Sequence, residues 1–442
     1  MSKGQIIGLT STNFKNLPTN GFDFSTFEFP EEWNGYLLRN LYDFFGGKSI
    51  PRNKMGEEGT PCLHYGDIHT SPRTQFNLDE LIKNMPKVKM FRHSEDDFLK
   101  DGDLVFADAS EDYEGIAKAV LITNPSEREF IPGLHTIVAR KKSDRIDKNF
   151  SQYMLSSWLI RKQFMFYAQG ISVYGISKSS IEQTFVMLPP IEEQKKIATL
   201  LATWDDAINL SERLYENLSK YKKSVLSLVL SEKSSSILGI SKTIKPLKFY
   251  LTEENEKTII NNQYDIITST IDDLYLQSEY FNRQIASKNN IGYKILKRNR
   301  LVLSPQNAWM GNVNLNFKYG IGIVSPSYKV YNLQNCDLNF FAQFVKSDIF
   351  ISILDKNSQT GASVVRKSLN VKSLLDTELQ LPTLEEQKIY GDLFNNLEKQ
   401  LGLLLKQIKY YTEQKQALMQ KFLNGKIRVK TSRKGDDYES RI

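Results

Sequence analysis

The sequence predicts an α+β protein made of two similar modules and two long helices that pack on each other as a coiled coil. Three observations carry that prediction. The phrase LPPIEEQK at residues 188–195 returns as LPTLEEQK at 381–388, 193 positions later. The two copies stay aligned without a gap through about 40 residues, a repeat of structural size. The segments ahead of the copies present strand-like and helical stretches in the same order while differing in most residues.

At 442 residues the chain exceeds what one core ordinarily serves, so two domains of roughly 150 residues plus connecting structure are expected. Apolar residues at 40% and aromatics at 11% suit a soluble globular protein rather than a disordered one. No apolar block resembles a signal peptide, and nowhere do about 18 apolar residues run together, so neither export nor membrane insertion is indicated. Cys62 and Cys336 stand alone, without a Cys-x-x-Cys spacing, and fit a reducing cytoplasm. The formal charge of +7 permits contact with polyanions such as DNA without requiring it.

Taken in order, residues 1–19 read as an N-terminal tail and 20–187 as the first module. Within it, strand-like Gly102-Asp103-Leu104-Val105-Phe106 and His135-Thr136-Ile137-Val138-Ala139 precede the aromatic helical stretch FSQYMLSSWLIRKQF at 150–164 and the turn Gly170-Ile171-Ser172-Val173. The first long helix occupies 188–232, and 233–244 is a linker. The second module, 245–380, repeats the order with Asn299-Arg300-Leu301-Val302-Leu303, Pro326-Ser327-Tyr328-Lys329-Val330, LNFFAQFVKSDIFISIL at 338–354 and Gly361-Ala362-Ser363-Val364. The second long helix takes 381–425, and a basic tail covers 426–442.

Each long helix opens on proline with two glutamates in its first turn, where the helix dipole favours negative charge, and Thr383 with Glu386 has capping-box spacing. Positions alternately four and three apart form a stripe: Ile197, Leu201, Trp204, Ile208, Ser211, Tyr215, Leu218, Lys222, Val225 and Val229. Their counterparts are Tyr390, Phe394, Leu397, Leu401, Leu404, Ile408, Tyr411, Lys415, Leu418 and Phe422. Lys415 falls opposite Lys222. Each helix has room to extend about 60 Å, beyond a small domain. A single stripe would suit packing across one's own domain; two stripes in matched register favour pairing of the copies.

These residues resemble the specificity subunits of type I restriction-modification systems. The resemblance rests on LPPIEEQKKIA and LPTLEEQKIYG, the long helix after each, the ending Lys421-Phe422-Leu423-Asn424-Gly425, and the opening segments Phe29-Pro30-Glu31-Glu32-Trp33 and Tyr65-Gly66-Asp67-Ile68. It covers nearly the whole chain. The second module departs from the pattern, since its opening IKPLKFYLTEENEK lacks the aromatic start and the Gly-Asp-Ile turn. The resemblance implies two target-recognition domains separated by an antiparallel, pseudo-twofold pair of helices acting as a ruler between two half-sites of double-stranded DNA. It implies two methyltransferase (modification) subunits and two restriction/translocase subunits as partners, with no membrane. S-adenosylmethionine, ATP and magnesium would belong to those partners, with no cofactor or metal in this chain. The target adenine would leave the stack to react on a partner.

Fragments that suggest catalysis have simpler readings. Gly46-Gly47-Lys48-Ser49 ends like a P-loop, but Tyr42 stands where the first glycine is required. Gly320-Ile321-Gly322 lacks the third glycine of a dinucleotide fingerprint, and Pro189-Pro190-Ile191 does not supply an adenine-methyltransferase motif. Glu193-Gln194-Lys195 and Glu386-Gln387-Lys388 read as surface and capping residues rather than a nuclease site. His64, His69, His93 and His135 show no ligand spacing. The chain is therefore expected to be non-catalytic.

DNA contact needs Lys, Arg or Ser for phosphates and Arg, Asn, Gln or Ser for base edges. In the first module the candidates are Arg140, Lys141 and Lys142 at a strand end and Ser172, Tyr174 and Lys178 around the glycine loop. In the second they are Lys297, Arg298 and Arg300, then Asn307 and Trp309, and Ser363, Arg366 and Lys367. A coiled-coil adaptor without DNA readout is the alternative, but it leaves the duplicated, divergent strand-rich modules unexplained.

Overall fold

The computed structural model describes residues 9–10, 21–71, 73–89, 97–281, 289–360 and 367–429. The chain divides into two units, one of Met1–Asn209 with Lys409–Ile442 and one of Leu210–Ile408. Each unit combines a mainly antiparallel sheet with helices, an α+β arrangement.

In the first unit a five-stranded sheet has the order 42–46, 136–141, 104–107, 119–123, 75–77. All neighbours are antiparallel except 75–77, which runs parallel to 119–123. The central strand Leu104–Ala107 is buried on both faces, and its alternation separates two cores. Leu104 and Phe106, with Leu121, Ile137 and Ala139, face the helices Lys148–Met154 and Trp158–Tyr167. Val105 and Ala107, with Val120, Ile122 and Val138, face Leu63, Ile68, Phe76 and Phe130. Each large side chain so buried contributes about 1.5–3 kcal/mol.

In the second unit a four-stranded antiparallel sheet has the order 251–254, 329–333, 300–303, 313–315. Strand for strand this matches the first four of the other sheet. The two helices after it are also matched: Asp147 and Ser157 cap one pair, and Asp337 and Ser347 the other. Short side-chain acceptors at these positions satisfy first-turn amides that would otherwise be unpaired. A strand pair closes each unit just before its long helix. Asn34–Leu37 lies antiparallel to Phe185–Leu188, and Lys242–Pro246 to Glu378–Pro382.

The long helices are α1, Ile191–Leu230, and α2, Leu384–Leu423. Pro190 directly ahead of α1 brings no amide of its own, Thr383 follows Pro382 ahead of α2, and no proline interrupts either run. They pack antiparallel. In the first unit Glu193 near the start of α1 meets Arg428 in the turn after α2, while Trp204 and Asp205 further along α1 meet Tyr411, at 5.7 Å, and Lys415 earlier in α2. In the second unit Lys222 pairs with Glu398, and the Ser241 amide beyond α1 donates to Glu386 near the start of α2.

Candidate nucleic-acid interface

The repeated Glu-Gln pair builds the frame on which any interface stands. Gln194 accepts from the Asp147 amide at 2.9 Å and donates to the Arg145 and Pro189 carbonyls. Gln387 repeats this, accepting from the Asp337 amide at 3.1 Å and donating to the Pro382 carbonyl. One glutamine thus fixes the start of each long helix against the capping aspartate of the preceding helix pair. Its amide has both donor and acceptor, so it joins two backbone segments at once.

The glutamates diverge. Glu386 accepts from the Thr383 amide and hydroxyl, half of the expected capping box, and from Ser241. Glu193 is 2% exposed and is held by Arg428 through two bonds of 2.8 Å. Arg428 also reaches Glu32 at 3.0 Å, while Gly425 packs on Pro30 and Trp33. The expectation of surface residues is therefore corrected for Glu193, Gln194 and Gln387, which are buried. The carboxylates hold the Arg428 guanidinium firmly in its charged form.

Both units place a short hairpin beside the loop that follows the central strand. In the first, Gln169 and Gly175 exchange backbone bonds of 2.9 and 2.7 Å, and Tyr174–Gly175 pairs antiparallel with Ala109–Ser110. Gly170 has φ +128°, and a Cβ there would overlap the Val173 carbonyl, so only glycine makes this turn. Ser172 lies at the exposed tip, and the Tyr174 ring meets Tyr113 at 5.2 Å. Lys178 opens the next helix, capped by Ser177, with its ammonium 4.0 Å from Glu182. In the second unit Ser358–Thr360 pairs with Lys367–Leu369, and the Leu369 amide donates to Pro305. Lys367 lies 5.1 Å from the Trp309 ring and pairs with Asp355 at 2.5 Å; Asn307 is exposed nearby in the same loop. Ser363 and Arg366, with the rest of Gly361–Val364, fall outside the described residues.

The remaining basic candidates gather elsewhere. Thr136 pairs with Ala107 beside the hairpin, while Arg140, Lys141 and Lys142 stand at the other end of the strand, about 13 Å further on for Arg140. Arg140 donates to Asp103 at 3.0 and 2.8 Å and to the Phe98 carbonyl, and stacks over Phe45. Lys142 pairs with Asp43 at 2.8 Å, and Lys141 lies 3.9 Å from Asp144. In the second unit Arg300 grips both oxygens of Glu254 and Lys297 pairs with Glu256, leaving Arg298 exposed on the turn between them. A guanidinium already committed to a carboxylate must surrender those bonds to meet a phosphate.

One gathering has no signal in the sequence. Tyr65 packs its ring 5.3 Å from His135 and 6.1 Å from His69. His135, at φ 57°, pairs with Asp108, and His69 bonds the Ala109 carbonyl at 2.7 Å. Spacing in the chain conceals the cluster because its members come from three elements around the loop that carries the hairpin's partner strand. Burial pushes the neighbouring His64 below the usual histidine range. Among the described residues no group of three or more His, Cys, Asp or Glu is arranged to hold a metal ion.

Every position of the two helix stripes is buried or half-buried. In the first unit Ile197, Leu201, Leu418 and Phe422 join the core that includes Phe106 and Phe150. In the second, Leu218, Val225, Val229, Tyr390, Phe394 and Leu397 join the core of Phe340 and Phe341. Leu404, Ile408 and Tyr215 are half-buried, as is Ile208, and Leu401 is buried. The two stripe lysines are answered by acids in matching register, Asp205 for Lys415 and Glu398 for Lys222.

Comparison with known proteins adds four findings. Residues 30–220 match the family described as the type I restriction modification DNA specificity domain. The chain is 23% identical over 424 residues to a putative type I restriction enzyme MjaX specificity subunit of Methanocaldococcus jannaschii, covering 91% of this chain and 96% of that protein. It is 23% identical over 331 residues to the EcoBI specificity subunit of Escherichia coli, covering 65% and 67%. Among solved structures it is similar to the type I restriction-modification S subunit from M. genitalium, with a TM-score of 0.54 at 14% identity over 92% of this chain and 98% of that one. That last likeness is one of fold.

Proposed function

We propose that this chain is a specificity subunit of a type I restriction-modification system and that it reads a bipartite DNA target, one half-site with each unit. The observation that carries the proposal is the shared frame bearing different faces. The sheet order, the capping aspartates and the Glu-Gln helix starts recur, whereas the loops beside the hairpins differ. Two readers of the same build and unlike surfaces suit two unlike half-sites, with the gap between them set by α1 and α2.

Reading would begin with lysines such as Lys178 and Lys367 meeting phosphates, which positions the protein without naming a sequence. Tyr113, Tyr174, Asn307 and Trp309 would then lie towards base edges. Methylation of adenine, and translocation and cleavage at unmethylated sites, would fall to two methyltransferase and two restriction subunits carrying S-adenosylmethionine, ATP and magnesium. This chain would supply recognition alone. Exposed Leu200, Leu210 and Leu403 on the long helices offer apolar surface for such subunits to cover.

The test is a map of N6-methyladenine in cells that carry the methyltransferase subunit, with this gene intact or deleted. A two-part motif with a fixed gap should lose methylation on deletion. An unchanged map, together with no sequence preference by the purified complex, would overturn the reading.

A further inference from the structure

We propose that Ile171, at the tip of the 169–175 hairpin, enters the major groove and selects thymine through its methyl group. The inference rests on the DNA-reading function above and assigns one residue a specific base. Ile171 is 94% exposed, the most exposed of the large apolar side chains among the described residues, and Val173 beside it is 57% exposed. Together the two side chains make an apolar tip that a partner surface can cover.

The tip is built to be presented. Reciprocal backbone bonds between Gln169 and Gly175 close it, Gly170 turns at φ +128°, and the Tyr174–Gly175 strand is anchored on Ala109–Ser110. The Ile176 amide extends that anchor to the Asp108 carbonyl. A narrow two-stranded ribbon of this kind fits the major groove, whose width of about 12 Å admits it, and not the minor groove of about 6 Å. The only apolar group that a base pair shows in the major groove is the thymine methyl.

Sequence adds a second argument. The other unit carries Gly361-Ala362-Ser363-Val364 against Gly170-Ile171-Ser172-Val173, so three of four residues are shared and the one that differs is isoleucine against alanine. A shared sequence in which one residue differs is the pattern expected of a determinant of sequence preference.

The experiment selects binding sites from randomised duplexes with the chain assembled with its methyltransferase subunits, comparing wild type with Ile171→Ala. Wild type should return a two-part motif containing thymine in one half. Ile171→Ala should lose preference at that position alone, by about four-fold for one methyl buried. Replacing that thymine by deoxyuridine should weaken wild type by a similar factor and leave Ile171→Ala unaffected, while Ile171→Val keeps most of the preference. An unchanged motif, or an equal uridine penalty for both proteins, overturns the assignment and leaves DNA reading intact. Loss of methyltransferase assembly in Ile171→Ala, with discrimination unchanged, would mark the tip as a protein contact and also overturn it. If wild type returns no motif, the DNA-reading function fails and the inference with it.

Discussion

Glu193 and Glu386 are the same residue at the same place in a repeat, yet their surroundings give them different work. Glu386 satisfies a helix start locally, through Thr383 three residues away. Glu193 depends on Arg428, 235 positions along the chain. Local spacing made the first readable from sequence, and nothing local announced the second. The same limit governed the DNA candidates: charge alone selected Arg140 and Arg300, whose acidic partners are supplied by other segments. Arg428→Ala should strand the Glu193 carboxylate inside the first unit and lower stability by about 2–3 kcal/mol, moderated because the guanidinium's outer edge reaches water. Chemical denaturation would measure it, and adding Glu193→Gln should restore part of the loss. Equal stability of Arg428→Ala and wild type would show that the pair does not hold the turn.

At the scale of elements the sequence was most informative where periodicity is local. The four-three stripe located both long helices and their inward faces, because a helix imposes its period on any run that packs along one side. The short strands, 34–37, 42–46 and 60–63 among them, carried no comparable signal, since four or five residues rarely distinguish a buried strand from other apolar runs. The lysines inside the stripes now have a reason. Lys222 and Lys415 meet acids across the helix pair, and a polar residue at such a position favours one register over its neighbours. A double-mutant cycle on Lys222→Met and Glu398→Gln should give a coupling of about 0.5–1 kcal/mol, because both groups are partly solvated. Additive effects within about 0.3 kcal/mol would deny the pair any role in register.

At the scale of the molecule, two units with separate cores share two continuous helices, α1 and α2 each contributing to both. Melting one unit should therefore release helix from the other. Phe340→Ala, in the core of the second unit, should cost about 3–5 kcal/mol and shift a single calorimetric transition downward as a whole. Two separated transitions, only one of them moved, would show that the units unfold independently.

The first unit also contains Leu418, Met419, Phe422, Leu423 and Val429, packed with residues from Tyr36 to Leu201. On a ribosome adding about 5–20 residues per second, the 199 residues between Asn209 and Lys409 take on the order of 10–40 s to emerge. Through that interval the earlier-made part of the first unit waits with an open apolar seam, while the second unit is made and folds ahead of it. The portion of the protein translated first is thus the portion completed last, and any message cut short before Lys409 yields a first unit that lacks one wall of its core.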